Sequence, residues 1–152
     1  MIEITANLFY PENDVDAILI TTNGFVKKNG QAVMGRGVAY YATVLWPDIQ
    51  IQLGVLIKEN GNQVMYLDNK RFPNGHNCSV YSFPVKKNWW EKADLELIEN
   101  SVEQIKNIAN MVGLKKIWTV RPGCGNGKLD WNDVKPILLK WWDDRFIIVN
   151  KI

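Results

Sequence analysis

Arg121-Pro122-Gly123-Cys124-Gly125-Asn126-Gly127-Lys128-Leu129-Asp130-Trp131 is the stretch from which the rest of the chain can be read. The apolar run Ile117-Trp118-Thr119-Val120 precedes it as a buried strand end, and a helical pattern follows it. Three glycines at alternate positions let backbone N–H groups turn inward without Cβ clashes. A strand, a glycine-rich turn and a helix start together make an anion cradle, because the helix N-terminus adds partial positive charge. A second stretch repeats the pattern: Thr21-Thr22-Asn23-Gly24 through Val33-Met34-Gly35-Arg36-Gly37-Val38-Ala39 is again strand, glycine-bearing loop and helix. Two such loops in one α/β domain are suited to grip the two phosphates of a diphosphate.

Working outward, Asp16 to Thr22 is a nearly continuous apolar run, the mark of a strand buried on both faces. The loop Phe25 to Arg36 is long and basic, with Lys27, Lys28 and Arg36, and loops of that length tend to be functional or mobile. Val38 to Trp46 reads as a helix stopped by Pro47, and Asp48 to Lys58 as a second, weakened by Gly54. Strands are expected at Ile2–Thr5, Gln63–Leu67, Ser79–Phe83 (halted at Pro84), Lys116–Val120 and Arg145–Val149. Asn7 to Asp14 and Asn69 to Asn77 read as loops. Asp94 to Val112 carries one apolar stripe (Leu95, Ile98, Val102, Ile105, Ala109, Val112) and ends at Gly113. Asp130 to Trp142 is helical, but Pro136 lacks an N–H and belongs near the first turn, so a loose or 3₁₀ start is expected. The alternation implies an α/β fold: a central mixed, mostly parallel sheet covered by helices on both faces. Ligands in such sheets sit outside the carboxyl ends of the strands, where both glycine loops fall.

The 152 residues suffice for one domain, 1–152, with a real core. With 47% hydrophobic and 22% charged residues, the mix is that of a folded chain. A net charge of +2, from 18 basic and 16 acidic side chains, argues against nucleic-acid binding by bulk field but leaves a local basic groove open. Cys78 and Cys124 make neither a metal spacing nor a disulfide framework, so a reducing, cytoplasmic setting is the expectation. Met1-Ile2-Glu3-Ile4 lacks the features of a secretory leader, and no apolar run reaches membrane-spanning length. Among seven tryptophans, Trp89-Trp90 and Trp141-Trp142 are adjacent pairs, so on a regular element one member of each must point elsewhere.

These motifs resemble the macrodomains, the ADP-ribose-binding α/β family, over nearly the whole chain. Asp16-Ala17-Ile18-Leu19 into Asn23 resembles the family's Asp-Ala-Ile-Val strand ending in Asn. Met34-Gly35-Arg36-Gly37-Val38-Ala39 resembles its first phosphate loop, and Gly123-Cys124-Gly125-Asn126-Gly127-Lys128-Leu129-Asp130-Trp131 its second. The Met-Gly-x-Gly form, the Gly-Cys-Gly turn and Lys86-x-x-Trp89 resemble one branch in particular. That branch holds the antitoxin macrodomains that remove ADP-ribose from DNA and the terminal ADP-ribose glycohydrolase. The resemblance implies a three-layer αβα fold and a hydrolase of ADP-ribosyl linkages that needs no metal or cofactor. Its partners would be ADP-ribose or an ADP-ribosylated DNA or protein, with no membrane.

Carried over residue by residue, the resemblance implies that Asn7 hydrogen-bonds the adenine amine and that Asn23 holds the distal ribose. Gly35, Gly37, Gly125, Asn126 and Gly127 would offer backbone donors to the phosphates, with Met34, Arg36, Val38, Gly123 and Cys124 completing the two loops. Lys86 matches the lysine that acts at the anomeric carbon of the distal ribose. It requires a pKa lowered by burial or cationic neighbours, with Lys87 beside it and Trp89 placed to exclude water. Plainer readings stand beside these: Asn7 and Asn23 as turn residues bonding their own backbone, and Lys86 and Lys87 as solvated lysines. Val85 stands where the antitoxins have Thr, and Gly127 where the terminal glycohydrolase has Asp. His76 lies in a polar loop and receives no catalytic role. The alternative functions are a non-catalytic ADP-ribose or NAD-derived nucleotide reader, and a small α/β nucleotide-binding protein with a structural role.

Overall fold

The computed structural model describes residues 1–151. They form ten elements: β1 (Ile2–Asn7), β2 (Ala17–Asn23), α1 (Gly37–Leu45), α2 (Ile49–Asn60), β3 (Tyr66–Arg71), β4 (Asn77–Lys86), α3 (Leu95–Val112), β5 (Ile117–Thr119), α4 (Trp131–Trp141) and β6 (Phe146–Lys151). The strands make one sheet in the order β1-β6-β5-β2-β4-β3. All pairs are parallel except the β3–β4 hairpin at the edge. Among the described residues no helix is long and apolar enough to cross a membrane.

Alternation along β2 builds both faces of the core. Ile18 and Ile20 pack with Phe9, Met34, Ala42, Leu53 and Trp118 under α1 and α2. Ala17 and Leu19 pack with Phe83, Val102, Ile105, Leu138 and Phe146 under α3 and α4. The result is the three-layer αβα arrangement expected. In α3 the stripe buries Ile98, Val102, Ile105 and Ala109, while Leu95 and Val112 at its ends stay exposed. Asp94 caps its first turn by accepting from the N–H groups of Glu96 and Leu97, and Gly113 closes it at φ 77°.

Several sequence boundaries move. Pro84 does not halt β4, which runs on to Lys86. The Pro84 carbonyl accepts the Ser101 hydroxyl at 2.7 Å, on the side away from β2 and beyond the reach of β3. No ladder donor is therefore lost there. The third strand spans Tyr66–Arg71 rather than Gln63–Leu67, so the loop expected at 69–77 shrinks to a short hairpin turn. Pro136 lies inside α4, past the first turn. The tight start nonetheless exists, since the Asp133 N–H reaches back three residues to the Asp130 carbonyl at 3.0 Å. Gly54 is no weakness in α2. A Cβ there would stand 1.9 Å from the Gly30 carbonyl oxygen, because the basic loop packs directly on the helix.

Candidate functional site

Parallel strands put the carboxyl ends of β1, β6, β5, β2 and β4 on one edge of the sheet. Asn7 ends β1, the second glycine loop follows β5, Asn23 and the first glycine loop follow β2, and Lys86 ends β4. Asn23 and Lys86 are direct register partners. Four inter-strand steps separate β1 from β4, about 19 Å at ordinary strand spacing. The sequence candidates thus form a row along one edge, with the two loops in its middle.

The first loop is an ordered hairpin rather than a free segment. Val26 and Ala32 bridge, Lys27 donates its N–H to the Gln31 carbonyl, and Gly30 turns the chain at φ 86°. Asn23 fastens it: Nδ2 donates to the Val33 carbonyl at 2.9 Å and Oδ1 accepts the Phe25 N–H at 3.0 Å. Gln50 of α2 holds the other side through both directions of a bond with the Ala32 backbone. Asn23 therefore positions the loop with both its polar ends engaged. Met34 and Val38 bury their side chains in the core, so only their backbone faces the site. The loop runs into α1 at Gly37, whose N-terminus has no side-chain cap and no acidic residue in its first turn. Its N–H groups are the unpartnered kind that receive anions.

The glycines of the second loop divide by cause. Gly123 has φ 74° and lies under Ile98, Ala93 and Leu129. Gly127 is buried, and a Cβ there would meet the Gly123 carbonyl oxygen at 2.5 Å and Ala93 Cβ at 2.7 Å. Gly125 is exposed, with nothing within 4 Å of a Cβ and no positive φ, and Gly35 in the first loop is alike. Nothing inside the protein requires glycine at those two positions; a ligand brought close to their backbone would. Asn126 joins the loops, since its Nδ2 would lie 2.9 Å from a Cβ on Gly37. Cys124 is half-buried, its thiol 3.5 Å from the Pro122 carbonyl, and burial pushes its pKa up.

Lys86 and Lys87 part ways as strand alternation requires. Lys87 is 70% exposed and pairs with Asp94 at 3.6 Å. Lys86 is half-buried and donates to the Trp89 carbonyl at 3.4 Å. Its pKa is held below the usual lysine value, first by desolvation and then by the charges of Lys128 and Arg36. The cationic neighbours are thus one residue from each glycine loop, and Lys87 is not among them. Trp89 is 52% exposed, and its carbonyl is the group that bonds Lys86. Lys128, at φ 61°, is the residue that sequence reasoning missed. Asn62 of the α2–β3 connection also supports the site, donating to the Lys86 carbonyl at 3.1 Å and packing over Gly24. At the far end of the row, Asn7 Oδ1 accepts the Phe9 N–H at 2.9 Å, a turn contact. His76 contacts the Val15 carbonyl at 2.8 Å, on a bond that fixes its own loop.

No family model matches the chain. It is 26% identical over 92% of its length to a DNA ADP-ribosyl transferase–DNA ADP-ribosyl glycohydrolase fusion protein of Thermosipho africanus. It is 28% identical over 82% of its length to a DNA ADP-ribosyl glycohydrolase of Thermus aquaticus. The chain spans 40% and 33% of the length of those relatives. Among solved structures, the macrodomain of Mycobacterium tuberculosis DarG superposes with a TM-score of 0.80 at 20% identity, covering 99% of this chain and 97% of that one.

Proposed function

We propose a function from the premise that this chain is a macrodomain of the kind found in the DNA ADP-ribosyl glycohydrolases. It binds ADP-ribose and hydrolyses an ADP-ribosyl linkage, with ADP-ribosylated DNA as the carrier. One observation supports this reading: Asn7, the loops after β5 and β2, and Lys86 follow one another along a single sheet edge. On this reading adenine lies at Asn7, the diphosphate between the two loops and the distal ribose at Lys86, so the groups of the ligand follow the same order. The open faces of Gly35 and Gly125 and the uncapped start of α1 receive phosphate oxygens, with Arg36 and Lys128 supplying charge.

The chemistry turns on Lys86. Burial and the charges of Lys128 and Arg36 lower its pKa, which raises the share of the free amine, the nucleophilic form. The amine attacks the anomeric carbon, the glycosidic bond breaks, and the leaving group departs with the bonding electrons and takes up a proton. Water then displaces the lysine from that carbon, restoring the amine and releasing ADP-ribose.

A second reading, a reader that does not cleave, draws on Gly127. A side chain there would collide with Gly123 and Ala93, so position 127 has no room for a carboxylate. The experiment that decides is incubation with ADP-ribosylated DNA, ADP-ribosylated protein and ADP-ribose 1″-phosphate, followed by assay of free ADP-ribose. Release from DNA is expected. Tight ADP-ribose binding without release from any of the three would leave the reader.

A further inference from the structure

The end of β4 that carries Lys86 runs past its neighbour β3, which pairs with it no farther along than Tyr66, opposite Tyr81. On the other side β2 pairs Thr22 with Pro84 and then Asn23 with Lys86, a register step that skips Val85. Irregularities of that kind bend a strand, re-aim a side chain and interrupt the ladder. Groups from outside the sheet take over there. The Pro84 carbonyl accepts the Ser101 hydroxyl at 2.7 Å, and the Val85 carbonyl accepts the Asp94 N–H at 2.9 Å. The Lys86 carbonyl, one step on, accepts Asn62 Nδ2 at 3.1 Å.

Asn62 is itself held firmly. It sits in the α2–β3 connection, just past Gly61 at φ 83°. The residues after it are tied to α3 and to β4. Gln104 accepts the Val64 N–H at 2.9 Å and donates to the Gln63 side chain, and Met65 N–H bonds the Ser82 hydroxyl at 3.0 Å. The Asn62 amide also rests on the chain after β2, where a Cβ on Gly24 would stand 2.7 Å from its Cγ and Nδ2. Gly24 has no positive φ, so the Asn62 side chain, not the turn, requires glycine there. Gly24 in turn donates its N–H to the Lys87 carbonyl at 3.1 Å. One amide thus sets the spacing between the ends of β2 and β4, where Asn23 and Lys86 are register partners.

We propose that Asn62 is a positioning residue for the reacting lysine: it stands in for the strand neighbour that β4 lacks at its end and fixes the Lys86 main chain, so that the amine meets the anomeric carbon. This rests on the hydrolase reading above and adds a residue to it. Asn62 touches no reacting atom and acts only through Lys86. Rates are sensitive to such placement, since a misplacement of about 1 Å costs roughly a hundredfold.

Two measurements test it. The first is steady-state hydrolysis of ADP-ribosylated DNA. Asn62→Ala should lower kcat about tenfold, part of the loss that misplacement can cause, while KM and ADP-ribose affinity stay near wild type. Gly24→Ala should do the same with Asn62 still present, because the new Cβ pushes the amide off the Lys86 carbonyl. The double variant should be no slower than either single one, since truncating Asn62 relieves most of the clash. In a Lys86→Ala background, Asn62→Ala should lower the residual rate no further. If Asn62→Ala does not fold, Gly24→Ala carries the comparison. Unchanged kcat, or a further loss in the Lys86→Ala background, would overturn the positioning role. The second measurement needs no turnover. Free ADP-ribose in its ring-opened form carries an aldehyde at the distal anomeric carbon. The Lys86 amine condenses with it, losing water, and added cyanoborohydride reduces the imine to a stable secondary amine that mass spectrometry quantifies. Wild type should be labelled at Lys86, and Asn62→Ala about tenfold more slowly at saturating ADP-ribose, as in hydrolysis. Equal labelling, or none in wild type, counts against the proposal. If no substrate is cleaved but labelling still depends on Asn62, the hydrolase reading fails and the positioning role stands.

Discussion

The two glycine loops touch at Asn126 and Gly37, yet they keep their shapes by different means. The first is held from outside. Asn23 and Gln50 bond its backbone, and Gly54 of α2 makes room for its turn. The second is held by its own glycines, with Gly123 in a left-handed conformation and Gly127 pressed against Ala93 and the Gly123 carbonyl. Each loop also contains one glycine, Gly35 or Gly125, that its own packing does not require. Glycine content alone therefore does not identify a phosphate cradle; the space a Cβ would enter does. The loops converge on Lys86, where Arg36 from one and Lys128 from the other add to the burial that depresses its pKa.

Removing the point of convergence should have the largest effect. Lys86→Ala should lower turnover by about a hundredfold or more, the scale of a lost acid–base or nucleophilic group, while ADP-ribose affinity changes little. Lys87→Ala should leave turnover near wild type, because Lys87 faces solvent and Asp94. Steady-state kinetics with ADP-ribosylated DNA and calorimetry with ADP-ribose separate the two quantities. Equal rates for Lys86→Ala and wild type would reduce Lys86 to a surface lysine.

Next comes the contrast within the second loop. Gly125→Val should keep the fold and lower ADP-ribose affinity by more than about a hundredfold, as two charge-assisted hydrogen bonds at roughly 1.5–3 kcal/mol each are blocked. Gly127→Val should act through stability instead, because its side chain meets backbone and Ala93 Cβ at under 3 Å. Overpacking of that kind costs about 1–3 kcal/mol or more. Thermal unfolding beside calorimetry checks both. A Gly125→Val protein that binds like wild type would show that the open glycine is not a phosphate contact.

A smaller effect should distinguish the loops by their charges. If the free amine of Lys86 attacks, activity rises with pH as the amine loses its proton and levels off below the ordinary lysine range. Lys128→Ala removes one of the charges that lower the pKa, so the rise should move to higher pH. Arg36→Ala should move it the same way by less, since its contribution ranks below that of Lys128. Bound diphosphate offsets both cations, so the kcat profile should lie at higher pH than the kcat/KM profile. A flat or falling profile would mean that the ammonium form is the one required.

Much of this was legible in the residues. The alternating pattern of β2 and the stripe of α3 follow from local chemistry, and so does the placement of both loops at strand ends. Three things were not. Pro84 reads as a stop, but β4 is unpaired on that side and Ser101 takes up the carbonyl. Gly54 reads as a helix weakness until the loop packed against it is seen. Lys128 reads as one more exposed lysine, because only the convergence of β4 and the second loop sets its charge near Lys86. Each depends on what lies across the sheet or on a neighbouring element, which sequence spacing does not record.

The smallest expected effect lies at Asn7, farthest from both loops. Its Oδ1 already accepts the Phe9 N–H, so the plain turn reading of this residue is correct as far as it goes. That bond uses one lone pair. Among the described residues, the second lone pair on Oδ1 and the hydrogens of Nδ2 meet no other partner. If Oδ1 accepts from the adenine amine, Asn7→Asp keeps that acceptor and adds charge, so adenine-nucleotide affinity should hold or rise. If Nδ2 donates to a ring nitrogen instead, Asn7→Asp loses the donor and repels the acceptor, and affinity should fall. Asn7→Ala removes either bond and should cost about 0.5–1.5 kcal/mol, the scale of one neutral hydrogen bond. It should also narrow the preference for ADP-ribose over its hypoxanthine analogue, since the two bases present opposite donors and acceptors on that edge. Calorimetry of the three proteins with both ligands reads all of this directly. An Asn7→Ala protein that weakens both ligands equally would mean that the side chain only shapes the turn at Phe9, leaving adenine recognition to the backbone at that end of the sheet.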